Sequence, residues 1–319
     1  MIGRGFRLTN QSSQPNHVKQ KGVAIITALL LTTLAIAIVT SLFWHQQVQV
    51  RSIENQRLQL QKQWILRGAF DWARLILRED GKFSSVDDLT EPWAVPLAET
   101  RLDNYVTTDT TGSDVASALL SGSIQDAQAR LNLSTLASHG VLNPIDVSAF
   151  EKLLAALHQD PSLAKITAQH IALTQTHGTA QTGSPRPIGF IQVDDLLSVP
   201  GYTPAMIAAL RDHVVFLPRA TPVNINTASI EVLTARLPQL SSADISMLVA
   251  QRRNASFRNL REVATHLPGS PDPDPALLSV ATHFFIVNGH ITLQRAALQV
   301  QGLVERSGSA TYLLWIREA

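Results

Sequence analysis

The residues able to do chemistry are sparse and poorly grouped. There is no cysteine, so thiolate nucleophiles, thiolate metal sites and disulfides are all excluded. Neither HExxH nor GxSxG occurs, and the ten histidines are scattered without metal-ligand spacing. Gly178 and Gly183 have the glycine spacing of a phosphate-binding loop, but Ser184 stands where the lysine belongs. Asp272 and Asp274 have the spacing of the first two ligands of an EF-hand loop. Prolines flank both, and the sixth-position glycine and closing glutamate are missing. An acyl-transfer, metallohydrolase or nucleotide-dependent activity finds no support in these patterns.

The elements that would position any site begin with an apolar segment. Residues 1–22 carry Arg4, Arg7, Lys19 and Lys21 and no acid, and Val23 to Trp44 follows as an uncharged run. Twenty-two helical residues rise roughly 33 Å, about the thickness of a bilayer core. Trp44 closes the run where an indole prefers the interface, and the flanking lysines favour a cytoplasmic N-terminus. A cleaved secretory signal would have a shorter core followed by a small-x-small site, which the residues after Ser41 do not offer. The helical pattern continues instead. Leu58, Ile65, Ala69, Trp72 and Ile76 share one face, so a helix from Val23 to about Asp80 is expected, about 85 Å long. Gly68 could bend it, and Gly81 is placed to end it as a left-handed cap.

Beyond this helix the pattern changes repeatedly. Residues 83–137 read as loops and short strands, 138–180 as Ala- and Leu-rich helices, and 178–189 as an exposed loop. Two helix-turn-helix units follow. Pro200-Gly201 turns the chain before the Thr203-Pro204 cap, and Asn226 or Thr227 is expected to cap a helix ending near Leu237-Pro238. Ser241 with Asp244 forms a capping box for a helix reaching Arg253. Such units can hold DNA phosphates on backbone N–H groups, but only the first turn keeps a glycine, and Glu231 and Asp244 lie near Arg252 and Arg253. The net charge of +1 provides no basic field, so packing is preferred over nucleic-acid binding. In the last forty residues, Asn288-Gly289 between apolar runs predicts a hairpin, with later strands around Leu298–Leu303 and Tyr312–Ile316.

Several blocks resemble one family. Lys21-Gly22 before an apolar helix resembles the class III signal of type IV pilins and pseudopilins. Asp71-Trp72-Ala73-Arg74 with Leu77-Arg78-Glu79-Asp80 follows, then Asp126-x-Gln128-x-Arg130-x-Asn132-Leu133. Phe216-Leu217-Pro218 through Pro222–Ala228, and finally Val304-Glu305-Arg306 and Leu314–Glu318, complete a series that resembles the K component of type II secretion systems. The resemblance implies an α+β, pilin-like fold. A long N-terminal transmembrane and amphipathic helix would pack on an antiparallel sheet, with a large inserted all-α domain of helix-hairpin-helix or SAM-like units. The implied divisions are a basic leader at 1–22, a transmembrane helix at 23–44, and an amphipathic helix with the first part of the head at 45–137. The insert would take 138–280 and the closing strands 281–319.

The same resemblance implies function. Prepilin peptidase would cut between Gly22 and Val23. The fifth residue after the cut is Thr27, where most pilins carry a glutamate that pairs with a neighbouring subunit; its absence marks the tip component. The implied role is a non-enzymatic minor pseudopilin, anchored once in the inner membrane with its C-terminal domain in the periplasm. It would join the I and J minor pseudopilins, the major pseudopilin G and the inner-membrane assembly platform to start the filament that exports folded proteins. No cofactor is required. Pseudopilins often hold structural calcium, for which Asp103, Asp109, Asp114, Asp272 and Asp274 are candidate ligands that the sequence does not choose among. The alternative is an inner-membrane-anchored DNA-binding helix-hairpin-helix protein.

Overall fold

The computed structural model describes residues 20–102, 118–175, 188–267, 273–293 and 296–318. The chain falls into two units, Met1–Gln61 and Lys62–Ala319. What is described of the first is entirely helix, the N-terminal part of α1 (Gln20–Phe83). Its apolar run is long and hydrophobic enough to cross a membrane and is exposed along its length among the described residues. Four threonines sit in that run. The Thr27, Thr32, Thr33 and Thr40 hydroxyls all donate to carbonyls three or four residues back, at 2.8–3.0 Å. A hydroxyl satisfied by its own helix can enter lipid without an unpaired donor.

In the second unit the elements follow in order. They are β1 (Leu97–Arg101), β2 (Ala118–Asp126), β3 (Leu131–Asn132), β4 (Ala137–Ser138), β5 (Val141–Leu142), α2 (Pro144–Ala156), α3 (Leu163–Gln175), α4 (Pro204–Leu210) and β6 (Val214–Val215). Then come β7 (Val223–Asn224), α5 (Ile230–Arg236), α6 (Ser242–Asn254), α7 (Leu260–Thr265), β8 (Leu278–Ser279), β9 (Phe284–Leu293), β10 (Ala296–Ser307) and β11 (Ala310–Glu318). The main sheet is antiparallel with order β1-β2-β9-β10-β11. The chain leaves the sheet at the end of β2, builds its helices, and returns at β9. The α+β expectation with a long apolar N-terminal helix is met.

The pleat of β9 divides two cores, because alternate side chains face opposite sides. Phe285 and Val287 join Phe70, Ala73 and Leu77 of α1, with Trp93, Val300 and Val304. Phe284 and Ile286 face the other way, onto Val215, Leu217 and Leu303. Each fully buried aromatic or leucine here contributes about 1.5–3 kcal/mol through burial. Phe70 comes so close to β10 that a Cβ on Gly302 would lie 2.3 Å from its ring. Trp93 meets Phe285 edge-on at 5.3 Å and donates its indole N–H to Glu91 at 2.7 Å.

The structure corrects four local expectations. The buried stripe of α1 is Phe70, Ala73 and Leu77 flanked by Leu66 and Ile76, while Trp72 stays 46% exposed. The face is set by which side chains fit over Gly302, not by the count of apolar residues. Gly81 is helical, and α1 runs on to Phe83. What Gly81 provides is room: a Cβ there would meet Arg306 at 3.1 Å and a carbonyl at 3.2 Å. Asn288-Gly289 lies inside β9, where Asn288 accepts from Gln301 Nε2 at 3.0 Å and Gly289 pairs with Gly122 and Val300. A Cβ on Gly122 would sit 2.7 Å from the Asn288 carbonyl, so close strand approach uses these glycines. Finally, α5 is capped by Ser229, and neither Asn226 nor Thr227 caps it.

Other helix starts follow the sequence. Thr203 caps α4 with Pro204 at N1, and Ser241 with Asp244 forms the reciprocal box on α6. Asn143 and Asn259 cap α2 and α7.

Candidate functional site

The most organised group of polar side chains lies where the chain passes between the sheet and the helices. Asp126, the last residue of β2, has an Oδ1 that accepts from the Gln128 N–H at 2.7 Å, closing the turn after the strand. Its Oδ2 accepts from Thr227 at 2.5 Å, Thr282 at 2.6 Å and Asn224 Nδ2 at 2.9 Å. One carboxylate therefore gathers the strand exit, the segment after β7 and the strand return. Burial raises the Asp126 pKa, and its donors, Thr227 foremost, pull the other way.

The residues at alternate positions after Asp126 each pin a different segment. Gln128 donates to the Pro222 carbonyl at 3.1 Å and accepts from the His283 N–H at 2.7 Å. Asn132 accepts from the Ser134 and Leu217 N–H groups at 3.1 Å and donates to the Arg219 carbonyl at 2.8 Å. Asn224 donates also to the Asp87 carbonyl at 3.0 Å, and Asn226 exchanges bonds with the Phe257 backbone at 2.9 and 3.0 Å. These amides replace backbone partners in irregular segments that no ladder reaches.

A second cluster continues from Thr282. Its N–H donates to Asp87 Oδ2 at 2.6 Å, and its carbonyl accepts from Arg306 at 3.1 Å. Arg306 reaches from β10 to Asp80, 2.7 Å away at the end of α1, and to Asp87, while lying 4.8 Å over the Phe285 ring. Asp80, Asp87 and Glu91 hold carboxylate oxygens within 4.8 Å of one another, a grouping that could take a cation. The guanidinium of Arg306 already serves as the cation for two of them, and Glu91 accepts from Trp93 and the Asp88 N–H. Burial, opposed chiefly by Arg306, pushes Asp87 up to about 7. Burial also raises Asp80.

Of the residues singled out from sequence, Gly22, Val23, Thr27 and Asp274 are among the described residues. Gly22 and Val23 lie within α1; a Cβ on Gly22 would meet no other described group within 4 Å, and Val23 is exposed. Asp274 uses Oδ1 to accept from the Ala276 N–H at 2.8 Å and its carbonyl to accept from Leu277 and Leu278, turning the chain into β8. Asp103, Asp109, Asp114 and Asp272 lie outside the described residues. Arg252 is turned inward, donating to the Ile225 carbonyl, and its pKa is lowered to about 10 by burial and by Arg253. Asp87 was missed from sequence. Asp80 and Arg306 stood inside the recognised blocks, but nothing in one sequence couples positions so far apart.

A long apolar helix leads into an α+β unit whose most organised polar side chains, among the described residues, join its own segments. Two family models, both described as type II secretion system (T2SS), protein K, match residues 129–219 and 223–281. The type II secretion system protein K of Pseudomonas aeruginosa is 27% identical over 304 residues, covering 86% of this chain and 85% of that protein. The chain also resembles in fold a chain in the crystal structure of the GspK-GspI-GspJ complex from enterotoxigenic Escherichia coli. The TM-score is 0.65 at 20% identity, over 84% of this chain and 99% of that one. All three comparisons make the chain similar to type II secretion system protein K.

Proposed function

We propose that the chain is a minor pseudopilin that caps the tip of the type II secretion pseudopilus and has no catalytic activity. After cleavage by prepilin peptidase between Gly22 and Val23 it would assemble with the I and J minor pseudopilins and start the filament that exports folded proteins. The observation that carries this reading is the helix itself. In the first unit, Val48, Val50, Ile53 and Leu60 are more than half exposed above the apolar run, where an isolated soluble helix would present polar groups. Partner helices are the natural cover. A chain of similar fold is found in a GspK-GspI-GspJ complex, which supports the choice of partners.

Thr27 supports the tip position. Its hydroxyl is satisfied by its own helix, so the residue offers no charge to a neighbour. Restoring glutamate there (Thr27→Glu) is expected to leave secretion unimproved, because an unpaired carboxylate in apolar packing is expensive. A clear gain would remove the tip assignment. The direct test is the N-terminus of the protein in membranes from cells with and without prepilin peptidase. A peptidase-dependent start at Val23 is expected. An intact leader together with salt-dependent binding of duplex DNA would favour the DNA-binding alternative instead.

A further inference from the structure

On the face of the sheet opposite α1, a cavity of about 250 Å³ lies between β2, β9, β10 and β11 and residues 191–194 and 211–216. Three guanidinium groups stand in its wall, those of Arg130, Arg211 and Arg317. Arg211 is ion-paired with Asp194 at 2.5 Å. Arg130 has Asp212 3.8 Å away, an acid that is itself 87% exposed. Arg317 is different, because among the described residues its hydrogen bonds go only to neutral groups. Its Nη1 donates to Gln192 Oε1 at 2.8 Å and its Nη2 to Gln301 Oε1, while the guanidinium lies 4.5 Å over the Trp315 ring. Asp195 acts on Arg317 only from a distance, with Oδ2 taken by the Ile191 and Gln192 N–H groups. Burial lowers the Arg317 pKa against the pull of Asp194, and Arg211 adds to the lowering.

The neutral groups of the wall are one-sided in the same sense. A guanidinium can only donate, so each arginine fixes the oxygen end of its amide partner. Arg130 takes the Gln125 oxygen at 2.8 Å, and Arg317 takes those of Gln192 and Gln301. Gln301 Nε2 in turn donates to Asn288 Oδ1 at 3.0 Å, so the oxygens of all these amides are used. Gln192 Nε2, Asn288 Nδ2, Arg317 Nε and both Nε and Nη1 of Arg130 carry no hydrogen bond among the described residues, and none is sealed from solvent. The cavity therefore presents open N–H donors around one positive charge that lacks a counter-ion. A singly charged group with two acceptor oxygens matches both features, and hydrogen bonds to an ionised acceptor are about twice as strong as neutral ones.

We propose that this cavity binds a carboxylate, with Arg317 as its counter-ion and Arg130 and the amides of Gln192 and Asn288 as further donors. The carboxylate belongs either to a small free acid or to an acidic side chain of a polypeptide. The pseudopilin reading is not needed for this inference, and no secretion assay enters its test.

The test uses full-length protein in detergent, with ¹⁹F-labelled tryptophan and constant ionic strength set by chloride. Trp315 lies under Arg317 and reports on it, and its resonance is the one lost in Trp315→Phe. That resonance is followed during titration with acetate, with phosphate, and with acetyl-aspartate methylamide and its asparagine counterpart. A saturable shift with acetate, absent with chloride, is expected. An aspartate compound binding about tenfold tighter than acetate, with the asparagine compound inert, assigns the ligand to polypeptide; equal affinities assign it to small acids. Arg317→Gln removes the uncompensated charge and should weaken acetate binding about tenfold. No saturable shift in the wild-type protein, the same response to chloride, or a response to phosphate alone overturns the proposal, whether or not the glutamine variant folds.

Discussion

Asp126 shows why a charged residue sits at the centre of the head. Three side-chain donors and one backbone N–H converge on it, and no neutral acceptor of its size could serve them all. Asp126→Ala would leave Asn224, Thr227 and Thr282 buried beside an empty space. Unfolding in urea, followed by tryptophan fluorescence, is expected to show a loss of about 3–5 kcal/mol. Asp126→Asn, keeping the volume and one oxygen, should lose less; equal stability of all three proteins would mean the network is not held in solution. A separate site offers the opposite sign. His158 ends α2 in left-handed backbone at φ 56°, with its N–H on the Ala155 carbonyl at 3.0 Å and Gln159 N–H on Leu154 at 2.8 Å. This is the position where glycine is free of side-chain strain, so His158→Gly should raise stability by about 1 kcal/mol. Thermal denaturation showing no gain would place the stored strain elsewhere.

At the scale of elements, α1 is registered on the sheet by one close approach. Phe70 fills the space over Gly302, so Gly302→Ala must push the ring away or shift the helix. The expected loss is about 1–3 kcal/mol, and Phe70→Leu in the same chain should recover part of it. Additive losses would show that the two residues are not coupled. The sequence could not supply this contact, since apolar periodicity on α1 counts Trp72 equally with Phe70. Local rules worked where the partner is local. Thr203-Pro204 and Ser241 with Asp244 cap their helices because capping needs only three or four residues of context. They failed where a distant group competes. Thr227 has a hydroxyl suited to capping α5, but Asp126, 101 positions earlier, takes it, and Ser229 caps instead. Asn288-Gly289 satisfies a turn rule yet stays extended, because its neighbours on both sides demand a strand.

For the head as a whole, the joint lies at the seams of the two family matches. Asp126 precedes residue 129, Asn224 and Thr227 follow the gap at 220–222, and Thr282 comes just after residue 281. Each passage between sheet and helices is thus tied by side chains to another, and Asp87 with Arg306 extends the tie to α1 through Asp80. This arrangement makes the stability of the head depend on pH in a definite direction. The charged and titratable groups facing Asp87 are Arg306, Asp80, Glu91 and Asp126, and burial outweighs the arginine in raising its pKa from 3.8 to about 7. Between those values the folded chain holds a proton that the unfolded chain has released, so stability falls as pH rises through the window. The contribution is on the order of 2–4 kcal/mol, present in full below about pH 4 and lost above about pH 7. Other carboxylates, Glu231 and Asp88 among them, have lowered values and act in the reverse sense, so the wild-type profile alone mixes both signs. The comparison with Asp87→Asn separates them, because the amide is neutral throughout. Urea midpoints at about pH 5 and about pH 8 should differ more unfavourably with rising pH in the wild type than in the variant. Parallel profiles would mean that Asp87 is ionised across the range and that Arg306 holds it as a plain ion pair.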